Sequence, residues 1–429
     1  MEDETPSAAK LNKEAKAQKK VGKQSKRAAL KATSGKDDRK PDSSSFGPAL
    51  SKSRAQGKES YAIVKKAADP KESAVLNATD SHLNKTVALF DQVEQSRSIA
   101  SSQMKDVHPS IAALGLRYTR LEIVGSDSRV IAMLRAFRTV IHGYHTPAGT
   151  VLSRNLTTYL SPQIEYLKTC RPLSVTMRNA IRWLKLQISV LSIDLSDDDA
   201  KTFLVEHIEN FIRDRVTVAA KVIGHHGASR IHAGDHILIY ACSTIVRELL
   251  LEARNQGTKF RLTVVDSRPL FEARQVAHDL TEAGIDTTYI PLSALHYAMR
   301  SVDKVLLGAH AMLSNGSLYS RAGTAMVAMA AKELDIPVIV CCETLKFTDR
   351  VGIDAFVLNE LGSPEELASP LVSVDRSSNV LGEWKEVKNL KLLNFLYDVT
   401  PASYIRLIIT EMGCLPTSSV PIVLREYKT

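Results

Sequence analysis

The stretch HILIYACSTIVRELLLEARN at residues 236–255 decides the fold class. It opens with an apolar run that suits a strand covered on both faces, and it continues as an amphipathic helix that stops before Gly257. The same alternation recurs downstream, where it predicts strands at 260–265, 288–290, 304–307 and 337–341, helices at 270–283 and 324–334, and a short helix near Leu295. We therefore expect a Rossmann-like parallel α/β domain over residues 229–429.

Helical periodicity dominates the sequence upstream of this domain. Apolar residues from Val130 to Ile141 recur at spacings of three and four, which indicates one buried helix face. Another helix start is indicated by Ser196 and the three aspartates after it, because a serine cap and an acidic first turn both favour a helix N-terminus. We expect an all-helical domain over residues 76–228, so the predicted fold class is mixed α/β.

The first 75 residues are expected to form a disordered basic tail. Residues 1–60 hold 15 Lys/Arg against 8 Asp/Glu, and so carry most of the formal net charge of +9. Such a segment cannot bury enough apolar surface to offset the entropy of ordering it. Its basic run at 13–27 is either an arm that contacts RNA or ribosomes or a solvated tail. The rest of the chain is nearly neutral, which gives little reason to expect a DNA-binding groove.

Compartment signals in the sequence predict a cytosolic protein. The N-terminus has no apolar leader segment, and no run of 18 apolar residues could span a membrane. The five cysteines are scattered, so a disulfide framework is not expected. No Cys/His cluster has the spacing of a zinc site, and no phosphate-binding glycine loop follows a strand. We expect neither a metal ion nor a cofactor.

Polar residues at two predicted element ends have the chemistry of an anion site. Arg268 follows a strand, where it could bind a phosphate or form a structural clamp with a neighbouring carboxylate. Gly323 and Thr324 open a helix, where free N–H groups attract an anion, although an ordinary helix cap has the same sequence. Cys242 follows another strand and is either an activated thiolate or a small buried hydrophobe.

Several separate motifs resemble one known family. They are VHP at 107–109, GLRY at 115–118, CRPLS at 170–174, NAI at 179–181, VVDSRP at 264–269, KVLLGAHA at 304–311, VCCET at 340–344, LYDVTP at 396–401 and SSVP at 418–421. They resemble the alpha, beta and delta subunits of eukaryotic translation initiation factor 2B over residues 80–429. The CRPLS and CCET segments and the long basic tail favour the delta type.

The resemblance implies a regulatory, non-catalytic subunit of a guanine-nucleotide exchange complex. Its implied partners are the alpha, beta, gamma and epsilon subunits and translation initiation factor 2, which the complex reloads with GTP. Phosphorylation of the alpha subunit of that factor is implied to switch exchange off, through a cleft that involves Arg154, Asp214 and Val218. Asp214 and Val218 are four residues apart, so they are expected to share a helix face. The alternative is that this face is an ordinary exposed surface with salt bridges.

Assembly is expected to involve the C-terminal part of the chain. Interfaces between permanent partners are large and apolar. The apolar residues expected to contribute to such a surface are Ile405, Leu407, Ile408 and Ile409.

The C-terminal domain is also similar to that of methylthioribose-1-phosphate isomerase, which uses a Cys and an Asp as catalytic acid and base. Alignment on that enzyme puts Ala241 and His310 at these two positions, so the resemblance implies that the isomerase chemistry is lost. Arg268, Gly323 and Thr324 would then form a vestigial phosphate pocket. The alternative function is a sugar-phosphate isomerase or a sugar-phosphate-binding sensor.

Overall fold

Helices lead into an open parallel sheet in the computed structural model, which confirms the predicted fold class. The structure describes residues 107–192, 195–352, 354, 359–369 and 381–426, together with residues 87, 90 and 93. The predicted basic tail at 1–75 lies outside the described residues.

The first helices surround an apolar core of their own. They are α1 (Pro109–Thr119), α2 (Ser126–His142), α3 (Leu152–Cys170), α4 (Val175–Val190), α5 (Asp197–Ile212), a π-helical segment (Arg213–Val218) and α6 (Ala219–Ala228). Tyr118, Phe137 and Leu156 are fully buried in this core. Ser174 and Ser196 cap α4 and α5, since each hydroxyl accepts a hydrogen bond of 3.2 Å from the backbone N–H three residues later. None of the described helices is both long and apolar enough to cross a bilayer.

Strands and helices then alternate along the chain. In order they are β1 (His236–Tyr240), α7 (Thr244–Asn255), β2 (Arg261–Asp266), α8 (Ala273–Glu282), β3 (Asp286–Pro291), α9 (Leu295–Met299), β4 (Lys304–Gly308), β5 (Ala311–Leu313), β6 (Leu318–Arg321), α10 (Thr324–Glu333), β7 (Val338–Cys341), β8 (Phe347–Thr348), α11 (Pro364–Ala368), β9 (Tyr397–Thr400), β10 (Leu407–Thr410), β11 (Gly413–Leu415) and α12 (Val420–Glu426). Each strand predicted from sequence lies within two residues of an observed one.

Seven strands form the central sheet in the order β11-β10-β7-β4-β1-β2-β3. Every pair in it is parallel except β10 with β11. The chain fills the sheet on one side of β1 with β2 and β3, and on the other side with β4, β7 and β10. The topological switch point therefore lies between β1 and β4, and ligands of open α/β sheets bind at the carboxyl ends of the strands there.

A second sheet of four short strands, in the order β8-β5-β6-β9, was not predicted. Its strands have two to four residues, which is too short for a period-two pattern to be recognised in the sequence. It follows β4 directly, so it stands beside the switch point and supplies further walls to the cavity described below.

The helix α6 packs on the sheet domain, although the sequence assigned it to the helical domain. Ile223 and Ala228 are buried with Leu249 of α7 in the core on one face of the central sheet. Gly227 allows the two helices to approach closely, because a Cβ atom there would lie 2.0 Å from Leu249 Cδ1. Apolar spacing in a helix shows that one face is buried and cannot show which element covers it.

The prediction of an apolar assembly surface near residue 405 is wrong, because its residues are mostly buried. Ile405, Ile408 and Ile409 are buried in the core of this chain, with exposures of 7%, 0% and 0%. They lie in or beside β10, which pairs with β7 on one side and with β11 on the other. The apolar run is an internal strand, and such strands are apolar on both faces without facing a partner.

Polar contacts join the helical layer to the sheet domain. Arg171 Nε, at the end of α3, forms a buried ion pair with Glu360. Lys346 Nζ lies 2.8 Å from Asp127 Oδ2 at the start of α2. Asn179 Nδ2 donates to two backbone carbonyls near β8, at 2.9 and 3.1 Å. These contacts hold the first turns of α2 and α4 against the carboxyl ends of the strands.

Candidate ligand cavity and partner-facing surface

A cavity of about 310 Å³ opens at the switch point. Ala241 and Cys242 line it directly after β1, and Ala309 and His310 line it after β4. Its other wall is the start of α2, around Gly125. The volume is in the range of small-ligand sites, and the position is the one at which this fold class binds ligands. We call it the switch-point cavity.

Ala241 and His310, the two positions that the resemblance aligns with the isomerase acid and base, both line this cavity. Ala241 is buried, has a φ of 56° at the strand end and offers only a methyl group. The His310 ring lies 4.4 Å from that of Tyr397, and burial together with nearby Arg129 and Arg171 holds the pKa of His310 well below its usual value. A neutral imidazole can exchange a hydrogen bond with a ligand, and its lowered pKa makes it a weak proton acceptor.

Cys242 is not an activated thiolate. Burial, and then the Glu272 carboxylate, raise the pKa of its thiol, whereas nucleophilic cysteines have a lowered pKa. The alternative, a small buried hydrophobe, is contradicted in part: the thiol is partly desolvated, but the residue as a whole is exposed. Catalysis by covalent attack therefore has no support among the groups at the end of β1.

The start of α10 already holds a carboxylate of this chain. Asp398 Oδ2 accepts hydrogen bonds of 2.7 and 2.9 Å from the N–H groups of Gly323 and Ala325. Burial raises the pKa of Asp398 to about 6, against the opposing effect of these two donors. Thr324 is buried and donates to the Arg321 carbonyl. A phosphate would have to displace Asp398 to use the donors of this helix start.

The structure separates the residues expected to form the vestigial phosphate pocket. Thr324 lines the switch-point cavity, whereas Gly323 and Arg268 do not. Arg268 is exposed, and its Nη2 atom donates a hydrogen bond of 3.0 Å to the Ser369 carbonyl. The alternative for Arg268, a structural clamp, is thus partly met, because a backbone carbonyl and not a carboxylate holds its guanidinium.

Sequence reasoning missed the charged groups that do line the switch-point cavity. Arg321 Nε lies 2.9 Å from Glu272 Oε2, and Lys346 Nζ lies 2.8 Å from Asp127 Oδ2 and from Glu343 Oε2. Each cation is thus matched by a carboxylate of the chain. These residues come from distant parts of the sequence, so no local motif groups them. No metal-binding cluster of His, Cys, Asp and Glu occurs among the described residues.

The residues implied to sense the phosphorylated partner are all exposed. Arg154 lies on α3, whereas Asp214 and Val218 lie in the π-helical segment between α5 and α6. Asp214 is paired with its neighbour Arg213 through hydrogen bonds of 2.8 and 3.2 Å, which lower the pKa of Asp214. Val218 is 44% exposed. Sequence reasoning expected a regular helix here, and π-helical turns often occur at functional sites.

The fold and the site define a class: a helical layer on a parallel α/β domain with a cavity at the switch point of the sheet. The family model described as "Initiation factor 2 subunit family" matches residues 122–417. The chain belongs to this family.

Named relatives extend the match to nearly the whole chain. "Translation initiation factor eIF2B subunit delta" of Schizosaccharomyces pombe is 43% identical over 427 residues, which are 99% of this chain and 91% of that protein. The solved tetrameric eIF2B-beta2-delta2 complex from C. thermophilum contains a chain that is 36% identical, with a TM-score of 0.67, over 77% of this chain and 99% of that chain.

An enzyme is also among the relatives. "Ribose 1,5-bisphosphate isomerase" of Methanocaldococcus jannaschii is 31% identical over 261 residues, which are 61% of this chain and 78% of that protein. The likeness to an isomerase of sugar phosphates is therefore confirmed at the level of a shared family, and it covers less of the chain than the delta subunits do.

Proposed function

We propose that this chain is the delta-type regulatory and assembly subunit of the guanine-nucleotide exchange factor that reloads translation initiation factor 2 with GTP. The observation that carries this proposal is the identity of 43% with a relative named eIF2B subunit delta, because it extends over 99% of this chain and 91% of that relative. A relative that shared only an interaction domain with this chain would match over only part of that length.

The proposed partners follow from this assignment. The solved relative forms a complex with beta subunits, so direct contact with a beta-type subunit is the first expectation for this chain. The alpha, gamma and epsilon subunits, translation initiation factor 2 and its phosphorylated alpha subunit complete the proposed set. The proposed location is the cytosol, where initiation factors act.

The proposed role is non-catalytic. Ala241 and His310 stand where the resemblance places the catalytic Cys and Asp of the isomerase, and the buried neutral imidazole of His310 is a poor substitute for a carboxylate base. The alternative, a sugar-phosphate isomerase or sensor, is favoured only by the switch-point cavity and the isomerase relatives. Conversion of ribose 1,5-bisphosphate by the purified full chain would support that alternative.

The proposed sensor surface consists of Arg154, Asp214 and Val218. All three are exposed, and Asp214 and Val218 stay on nearly the same side of the π-helical segment, because a four-residue step closes most of one turn of either helix type. Asp214 is bound only to exposed Arg213 in the described structure, so replacing it does not disturb the core.

The test replaces Asp214 with Lys and, separately, Val218 with Gln in the assembled complex. We expect each variant to keep basal GDP release from translation initiation factor 2 and to lose inhibition by its phosphorylated form by about tenfold or more, as interface hot spots do. Matched controls are Glu282→Lys on α8 and Val190→Gln on α4, both exposed and outside the surface. They should leave inhibition unchanged.

Mass spectrometry of proteins that co-purify with the tagged full chain tests the assignment itself. Recovery of the other exchange-factor subunits is expected, and recovery of this chain alone would contradict the proposal. Normal inhibition in both sensor variants, within an intact complex, would refute the sensor surface and leave the subunit assignment standing.

A further inference from the structure

Three charged side chains meet where the start of α2 rests on the sheet domain. Glu343 lies just after β7, Lys346 ends the turn that leads into β8, and Asp127 lies in the first turn of α2. Lys346 Nζ lies 2.8 Å from Glu343 Oε2 and 2.8 Å from Asp127 Oδ2. We call these three residues the junction cluster, because they join the helical layer to the sheet domain across 219 positions of sequence.

The junction cluster is nearly closed to water. The side chains of Glu343 and Lys346 are 2% and 4% exposed, and that of Asp127 is 21% exposed. Glu343 Oε1 has no hydrogen-bond partner among the described residues. A carboxylate in such a position loses its hydration and gains only one ion pair in return. The negative form of Glu343 is therefore poorly stabilised.

The charges of the cluster do not balance when both carboxyl groups are ionised. Two carboxylates would then share one ammonium group and leave a net negative charge in the interior, whereas a proton on Glu343 makes the cluster neutral. Burial and then the Asp127 carboxylate raise the pKa of Glu343 to about 8, against the opposing effect of Lys346. Burial disfavours the charge on Lys346, but the two carboxyl groups together raise its pKa, so the ammonium group keeps its proton.

The other titratable groups nearby supply no positive charge to Glu343. The Glu411 carboxylate, just after β10, accepts hydrogen bonds of 3.0 and 3.2 Å from the backbone N–H that follows Glu343. Burial raises the pKa of Cys341 and of Cys342, so both thiols are neutral. Burial and neighbouring cations lower the pKa of His310, so its ring is neutral as well. The charge at this position is thus set within the junction cluster.

We propose that the junction cluster is a pH-sensitive latch, in which a proton held by Glu343 keeps the start of α2 on the sheet domain and rising pH weakens this hold. The direction follows from linkage between opening and protonation. When the junction opens, water reaches Glu343, and its pKa returns towards the ordinary value of 4.5. Opening therefore releases the proton. It becomes more favourable as pH rises from about 5 to about 8, and it levels off above the pKa of the closed form.

The latch acts on the switch-point cavity. Asp127 and Lys346 both line this cavity, so opening of the latch separates two of its walls. The shape of the cavity then depends on pH. The closed form is favoured at low pH, and the open form gains as pH approaches 8, because only the closed form holds the proton tightly.

Hydrogen exchange followed by mass spectrometry tests the latch on the full chain, in the complex with which it co-purifies. Exchange in the first turn of α2 is corrected for the intrinsic rate at each pH and gives the opening equilibrium. We expect opening to rise by about 50-fold from pH 6 to pH 8 and then to level off, because one proton is released over this interval. Glu343→Gln imitates the protonated group and cannot lose a proton, so its opening should stay nearly constant. Glu282→Gln, exposed on α8, is the matched control and should behave like the unmodified chain.

Infrared spectra at pH 7 measure the proton itself. A protonated carboxyl group has a C=O stretching band that a carboxylate lacks. The unmodified complex should show more of this band than Glu343→Gln does, and the control Glu282→Gln should show as much as the unmodified complex. A salt bridge with a purely structural role would give no such difference, because Glu343 would be ionised.

Asp127→Asn separates the latch from simple burial of Glu343. It removes the second carboxylate and leaves Lys346 to Glu343 alone, so Glu343 should ionise at lower pH. The rise in opening should then level off at a lower pH, and the infrared band at pH 7 should weaken. Asp127 is partly exposed, so this variant keeps the proposal testable if Glu343→Gln does not assemble.

Three outcomes would overturn the proposal. The first is an infrared band at pH 7 that is the same in Glu343→Gln as in the unmodified complex. The second is a pH dependence of opening that Glu343→Gln leaves intact. The third is a pH dependence that Asp127→Asn does not move.

Discussion

Single side chains decide what the helix start at Gly323 can bind. The sequence Gly-Thr at the start of α10 predicts free N–H donors. In the structure, Asp398 of a distant strand accepts hydrogen bonds from two backbone N–H groups there. The glycine itself is required by space. Its φ is 107°, and a Cβ atom there would lie 2.2 Å from Tyr240 Oη. Gly323 is therefore needed for close packing against Tyr240, which lines the switch-point cavity.

Gly323→Ala should destabilise the chain by about 3 kcal/mol, from an unfavourable left-handed backbone and from overpacking against Tyr240. Gly234→Ala is the matched control, because φ there is 91° and no atom lies within 4 Å of the added Cβ. The control should lose about 1 kcal/mol. The free energy of unfolding in urea measures both, and equal losses would show that the contact with Tyr240 has no role.

Asp398 should make stability depend on pH. Its pKa in the folded chain is about 6, against 3.8 ordinarily, so the folded state holds this proton more tightly than the unfolded state between these values. Stability from this group is therefore present at low pH and lost as pH rises from about 4 to about 6, by at most about 3 kcal/mol. Asp398→Asn keeps an acceptor oxygen and does not titrate.

The measurement for Asp398 is the difference in unfolding free energy between the two chains from pH 4 to pH 7. The variant should gain relative to the unmodified chain as pH rises. A difference that is constant with pH, or that moves the other way, would contradict the raised pKa.

At the scale of elements, similar apolar patterns have different roles. The run from Leu407 to Thr410 is an interior strand between β7 and β11, whereas Ile422 on α12 is 53% exposed. The π-helical segment Arg213–Val218 could not be predicted either, because nothing in its residues RDRVTV distinguishes it from an α-helix. Only the packing of the elements around such segments decides their form and their exposure.

Ile408→Ala should lower the free energy of unfolding by about 3 kcal/mol, since it removes a fully buried side chain from β10, a strand that is paired on both sides. Ile422→Ala, a matched change on the exposed side of α12, should stay within about 0.5 kcal/mol. Chemical unfolding followed by circular dichroism gives both values. A small loss at Ile408 with intact assembly would contradict its place in the core.

At the scale of the whole molecule, polar contacts hold the helical layer on the sheet domain. The switch-point cavity has walls from both parts, so its shape depends on this junction. Arg171 and Glu360 form its buried ion pair, with side-chain exposures of 1% and 6%.

Removing one member of this pair should be more damaging than removing both. Arg171→Met and Glu360→Met should each cost about 3 kcal/mol or more, because each leaves a buried charge without a partner. The double variant should lose clearly less than the sum of the two. A double-mutant cycle of unfolding free energies measures the coupling, and additive losses would contradict a direct buried interaction.

The sequence by itself determined the fold class, the strand and helix positions around the central sheet and the family, because these follow from local periodicity and contiguous motifs. It also placed Ala241 and His310 at the ends of two strands that the sheet brings together.

Only the tertiary structure decided which charges have partners. Asp398 caps a helix 73 residues away, Glu360 pairs with Arg171 across 189 residues, and β10 enters the sheet beside a strand from another part of the chain. Electrostatic cost and burial depend on distances between side chains in space, and sequence separation does not encode those distances.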